Sequence, residues 1–368
     1  MPFAFAAGPL LRSIFYPIYI KNIGDKKMSR KMTTPARVVN ICGILTLVFI
    51  AAAIASVLIG PAEIGILPGL KGLFLGWRDG YTSLSPSEKT ILFSIRLPRV
   101  VFAGIVGASL SCAGVIFQAI LRNPLADPFI LGISGGSAVG AIIGIILGLS
   151  SVPFGVPGLS FLGAVFTVIL VFLIGKSDRE LNSTTLLLAG VIVNAFFSAA
   201  IMFLISISSN ADLHNISFWL MGNLSVVNWS TIALEGLLLL FGFAVLYVHA
   251  RPLNLIVMGE DVAMQLGVNV EQTKIVLFLA GSLITGLAVA FSGIIGFVGL
   301  IIPHIMRMLL GPDHRLLLPA SLLFGASFLI VTDTVARTLI PHSELPVGVI
   351  TALLGAPYFV YLLRKRTV

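Results

Sequence analysis

The sequence predicts an all-α protein, a polytopic membrane bundle of about ten transmembrane helices, and three observations predict it. Hydrophobic residues fill 57% of the 368 positions and charged residues only 10%, where a soluble domain carries about 25% charged residues to cover its surface. The apolar residues come in runs of about 20, the length that crosses a hydrocarbon core. Lysine and arginine cluster between those runs, and chiefly between alternate ones. The 37 glycines and 19 prolines suit this class, because spanning helices tolerate both.

The first predicted span is 38–60. Residues 61–94 carry Lys71, Arg78, Asp79, Glu88 and Lys89 and read as a loop. The second span, 95–121, keeps its charges, Arg96 and Arg99, at its start. No charged residue occurs from 128 to 175, a length that needs two crossings, broken by the proline, glycine and serine of 150–160. The fifth span covers 184–208, and 209–228 is a turn region with a short helix. The sixth covers 229–248, the seventh 273–291 and the eighth 297–310, short enough to be tilted or to cross partly. The ninth runs 316–339 and the tenth 346–363.

Basic residues orient the bundle. With the amino terminus in the cytoplasm, seventeen of the 23 lysines and arginines fall inside: seven in residues 1–37, then Arg122, Lys176, Arg179, Arg251, Lys274, Arg307, Arg315, Arg364, Lys365 and Arg366. Lys71, Arg78, Lys89, Arg96, Arg99 and Arg337 fall outside. Both termini are therefore expected in the cytoplasm. Residues 1–37 form an arm whose apolar stretch 3–20 is interrupted by Pro9, Arg12 and Pro17 and lacks a signal peptide's basic start. An interfacial segment is the expectation; a start at Met28 or Met32, or an eleventh span, is the alternative.

The net charge of +8 does not point to nucleic acid, since there is no basic helix and no interleaving of aromatic with basic residues. Cys42 and Cys112 sit inside apolar runs without metal-site spacing. No phosphate-binding G-x-x-x-x-G-K-[ST] loop occurs, and His304 and His314 do not make a ligand pair. If the protein works against a gradient, its ATPase is another chain or it uses an ion gradient. Gly132, Gly136, Gly140, Gly144 and Gly148 recur every four residues, leaving a strip where another helix can approach closely. Static tight contact and a sliding interface are both open readings of it. Gln118, Asn194, Glu235 and Asp333 are polar positions inside spans and should face protein or a water-filled cavity; for Glu235 a helix–helix hydrogen bond, or a position closer to the membrane interface, is expected.

Between the sixth and seventh spans lies a short amphipathic insert, 259–270. Val262, Ala263 and Leu266 are expected on one face, Glu260 and Asp261 suit the positive end of a helix dipole, and Gly267 can stop the helix. A cytoplasmic helix too short to span suits docking into a groove of another protein, with a membrane-surface helix as the alternative.

These residues carry a family resemblance. Arg96-Leu-Pro-Arg99, the run 107–114, the run 118–134, 259–270, 293–307, 311–315 and 344–357 together resemble the permease subunits of bacterial and archaeal ABC importers for iron-siderophore, haem and cobalamin, the FecCD-like, vitamin B12-type family. The resemblance covers about residues 38–366, the expected permease domain; the first 35 residues depart from the family's shorter arm.

The resemblance implies a homodimer of ten-helix permeases, two cytoplasmic ATPase subunits holding ATP and magnesium, and one extracytoplasmic substrate-binding protein. It implies no cofactor on this chain and no catalytic residue. It assigns ATPase coupling to Gly259, Glu260, Asp261, Ala263, Leu266 and Gly267. It assigns binding-protein docking to Arg96, Arg99 and Arg337, which are expected to face outward toward acidic residues of the binding protein. An inner gate falls at Asn123, Pro124 and Leu125, and a pathway along Gly190, Asn194, Ser198 and Ala199. The expected cargo is an iron chelate, ferric siderophore or haem; cobalamin is the alternative, and an oxyanion such as molybdate a lesser one. An ion-coupled secondary transporter is the competing class, and it would need ion-coordinating clusters at broken helices.

Overall fold

The computed structural model describes residues 34–366 except 63, 80, 82, 83, 178, 179, 182, 226, 227, 341 and 342. The sequence-predicted arm, apart from its last residues, lies outside this range. All ten sequence-predicted spans are helical: α1 (Pro35–Leu58), α3 (Pro86–Ile120), α4 (Ile133–Ile146), α5 (Gly155–Gly175), α6 (Ser183–Ile207), α8 (Trp229–Val248), α11 (Val270–Ser292), α12 (Val298–Leu310), α13 (His314–Thr338) and α14 (Val347–Arg366). Seven of these are long and apolar enough to cross a membrane by themselves, while α4, α12 and α14 offer shorter apolar stretches. The short helix expected in 209–228 is α7 (Asn210–Leu220). Lys176–Ser177 and Glu180–Leu181 pair as a two-residue hairpin between α5 and α6.

The stretch 61–94 is not the predicted loop. It holds α2 (Ile66–Asp79) and the first turns of α3. Scattered charges hid an apolar segment, Ile66–Gly76, and also hid a capping box. The Ser85 side chain accepts the Glu88 N–H at 3.3 Å, and the Glu88 carboxylate accepts the Ser85 N–H at 2.8 Å. Within α3, Ile91–Arg96 is wound as a π-helix just ahead of Pro98. A proline inside a helix removes one N–H and crowds the carbonyl four residues back, and a wider turn absorbs that conflict.

α3 is the centre of the bundle, with α8, α11, α12 and α13 packed around it, and from Pro98 to Ile120 nearly every residue is buried. Small residues permit this. A Cβ on Gly107 would run into the Gly325 carbonyl of α13, and one on Gly114 into Gly299 of α12. Close backbone approach replaces the hydrophobic drive that lipid does not supply. The glycine strip works the same way over part of its length: Gly136, Gly140 and Gly144 lie against Thr167, Gly163, Leu159 and Val156 of α5. Gly132 and Gly148 instead bracket α4 in left-handed conformations, φ 77° and 72°.

α1 lies on the outside, with Val39, Ile44 and Leu47 exposed. It is pinned by arginines at its two ends. Arg37 donates to the Leu310 carbonyl at the end of α12, and Arg96 and Arg337 reach the last turn of α1 from α3 and α13. Gln118 is satisfied between α3 and α12, donating to Leu300 O at 3.1 Å and accepting from Arg307 at 2.7 Å. The helix–helix hydrogen bond expected for Glu235 is not found. Both its carboxyl oxygens are buried in α8 without a hydrogen-bond partner among the described residues.

Candidate functional site

The insert after α8 folds as two short helices, α9 (Ala250–Met258) and α10 (Glu260–Gln265). Gly259 turns the chain between them at φ 155°. Gly267, at φ 83°, closes α10: its N–H reaches Met264 O and the Val268 N–H reaches Ala263 O, both at 3.0 Å. That is the paired hydrogen bonding by which a left-handed residue ends a helix. Asn269 then caps α11 by accepting the Gln272 N–H.

α10 divides differently from the face expected of it. Ala263 is fully buried in a small cluster with Ile256 and Val270, while Val262 and Leu266 are exposed. The helix stops at Gln265, so Leu266 stands beyond its last turn and leaves the face that Ala263 keeps. Asp261 is exposed. The outward apolar rim is therefore Met258, Val262, Met264 and Leu266, with Met258 at 76% exposure.

Glu260 turns inward. Its carboxylate meets Arg122 Nη2 at 2.9 Å and Lys274 Nζ at 2.6 Å. The same Arg122 nitrogen donates to the Ile256 carbonyl of α9 at 3.2 Å. On the other side, Asn254 of α9 donates to Asp313 at 2.8 Å and accepts the His314 N–H at 2.9 Å, so the 311–315 segment is a seat for the insert. Sequence reading passed over Asn254, Arg122 and Lys274. Lys274, the one basic residue on the largely apolar α11, was the available signal.

Asn123, Pro124 and Leu125 form the turn that follows α3. Arg122 holds φ 48°, Asn123 Oδ1 accepts the Leu125 N–H at 2.9 Å, and Asn123 O accepts the Ala126 N–H at 3.0 Å. Asp127 caps the next turn (Pro128–Leu131) by accepting the Phe129 N–H at 2.9 Å. Burial pushes its carboxyl up to about 6, and that hydrogen bond opposes the shift. Of the sequence-predicted pathway residues, Gly190 packs on Ile130 and Leu131, and the half-buried Asn194 sits beside Gly135. Ser198 and Ala199 are exposed on the outer face of α6.

The structure corrects the outward orientation expected of the three arginines. Arg96, Arg99 and Arg337 are 3%, 6% and 3% exposed. Arg96 donates to the carbonyls of Val57 (3.1 Å), Leu58 (2.8 Å) and Ala62, covering acceptors at the end of α1 that have no partner within that helix. Arg99 forks onto Asp333 at 2.9–3.1 Å and also reaches Glu344 at 2.7 Å. Arg337 donates to Ser56 O and, at 2.7 Å, to Ser56 Oγ. A guanidinium withdrawn from water needs acceptors, and backbone carbonyls, the Ser56 hydroxyl, Asp333 and Glu344 supply them here, while Arg337 Nε has no hydrogen-bond partner among the described residues and lies 3.8 Å from Asp333.

Comparison with known proteins places this arrangement. The chain is 40% identical over 332 residues to the hemin transport system permease protein HmuU of Yersinia pestis, covering 88% of this chain and 96% of that one. It is 45% identical over 282 residues to the cobalamin import system permease protein BtuC of Halobacterium salinarum, covering 77% and 75%. A solved structure described as a metal-chelate type ABC transporter in an inward-facing conformation superposes with a TM-score of 0.77 at 36% identity, over 89% of this chain and 99% of that one. The FecCD transport family matches residues 45–365. This multi-pass chain, a transport permease and not itself an enzyme, belongs to the FecCD transport family.

Proposed function

We propose that this chain carries an iron chelate, a ferric siderophore or haem, across the cytoplasmic membrane of a bacterium or archaeon as one of two identical permease subunits. A substrate-binding protein delivers the cargo on the outer side. Two ATPase subunits bind the inner side, where the exposed Met258, Val262, Met264 and Leu266 give an apolar rim of the kind that fills a partner's groove. ATP and magnesium belong to those subunits. Transport is then gating: the insert moves with the ATPases, and the 123–125 turn opens or closes the inner end of a path along Gly190, Asn194, Ser198 and Ala199.

The observation that carries the iron-chelate reading is the match to the hemin permease, which runs through 96% of that protein. The cobalamin reading has its own support in 45% identity to a cobalamin permease over 282 residues. The test is ATP-dependent uptake by proteoliposomes holding the permease with its co-purified ATPase and binding protein. Haem, a ferric siderophore and cobalamin are offered side by side. Uptake of haem or the siderophore is expected; uptake of cobalamin alone overturns the iron reading in favour of the second.

A further inference from the structure

We infer that Arg122 is the positioning residue that passes movement of the α9–α10 insert to the 123–127 turn, acting through Glu260. The inference rests on the importer reading above. It starts from where the side chain is covalently attached. Arg122 directly precedes Asn123, and its left-handed backbone, φ 48°, is a conformation that a residue with a Cβ seldom adopts unless its surroundings hold it. What holds it includes its own guanidinium, which reaches the Ile256 carbonyl of α9 and the Glu260 carboxylate of α10. One side chain thus touches both helices of the insert, and its backbone leads directly into the turn.

The two arms of Glu260 differ in burial, and this separates their roles. Toward Lys274 the partner side chain is 7% exposed; toward Arg122 it is 46% exposed. A buried lysine left without its counter-charge is costly, so that arm is a permanent anchor of α10 on α11. The Arg122 arm is wet and worth little by itself. It can open and re-form as the insert shifts, which is what a joint used in every transport cycle requires. The Asn254 contacts to Asp313 and His314 hold α9 to α13 and touch no residue of the turn.

The test uses the full assembly with a Leu125→Cys reporter carrying an environment-sensitive fluorophore. ATP is added to wild-type, Arg122→Ala and Lys274→Met assemblies, and ATP hydrolysis is measured beside the fluorescence. We expect Arg122→Ala to keep subunit assembly and ATP hydrolysis while its ATP-induced fluorescence change, and its uptake per ATP, fall about fivefold or more, the lower end of ordinary inter-site coupling. Lys274→Met should lower thermal stability and keep the reporter's response. A full response in Arg122→Ala overturns the inference, as does an equal loss in both variants, which would mark the whole cluster as merely structural. Failure of the importer reading would look different: no ATPase would assemble and the wild type itself would give no response.

Discussion

Ala263 and Leu266 are three positions apart on the insert and do opposite things. Ala263 fills a pocket between Ile256 and Val270, and Leu266 leaves its side chain 62% exposed past the end of α10. An aspartate at each position therefore separates folding from assembly. Ala263→Asp places a carboxylate among aliphatic side chains, and an uncompensated buried charge costs about 3–5 kcal/mol. The purified chain should melt earlier, and the insert should become sensitive to protease. Leu266→Asp changes a surface position, where the effect on stability stays within about 0.5 kcal/mol. It should leave melting unchanged while the ATPase no longer co-purifies. Both are read by thermal unfolding and pull-down. If Leu266→Asp retains the ATPase, the exposed rim is not where that partner sits.

At the scale of elements, the end of α1, the start of α3 and the end of α13 meet on three buried arginines. Arg99 and Asp333 are 6% and 0% exposed, so cutting one partner strands the other. Arg99→Ala should cost about 3–5 kcal/mol, seen as earlier thermal unfolding of the detergent-purified chain. Asp333→Asn, which keeps an acceptor oxygen for the guanidinium, should cost less. Unchanged unfolding with salt-dependent loss of binding-protein capture would instead return Arg99 to a docking role. The helices themselves were legible because each span is a run of apolar residues, and the insert was legible because Gly259 and Gly267 bracket an amphipathic segment. The direction of Arg96, Arg99 and Arg337 was not. Their position at span ends follows from charge alone, but their partners are carbonyls at the end of α1 and an aspartate 234 residues away. A carbonyl leaves no mark in a sequence. α2 was missed for a related reason: its charges lie on a helix that is otherwise apolar, so composition alone read it as loop.

For the molecule as a whole, burial of those arginines bears on its orientation. Six basic residues were assigned to the outer side against seventeen within. Three of the six are consumed inside the fold, leaving Lys71, Arg78 and Lys89 as the basic groups of that set exposed to solvent. The inner side keeps exposed Arg122, Arg251 and Arg364 near span ends, where positive charge resists translocation. Counted with Lys176, the exposed basic groups among the described residues divide four against three, so it is the full count of seventeen against six that leads us to expect α9–α10 in the cytoplasm. Single cysteines test this in a background where Cys42 and Cys112 are replaced by alanine. Lys89→Cys should react with a membrane-impermeant maleimide in intact cells or, where an outer membrane intervenes, in spheroplasts. Met258→Cys, at a position 76% exposed, should react only after the membrane is opened. The reverse pattern would turn the bundle over. It would put the insert on the side where no ATP is available, so the coupling role proposed for Glu260 and Leu266 would fall with the orientation.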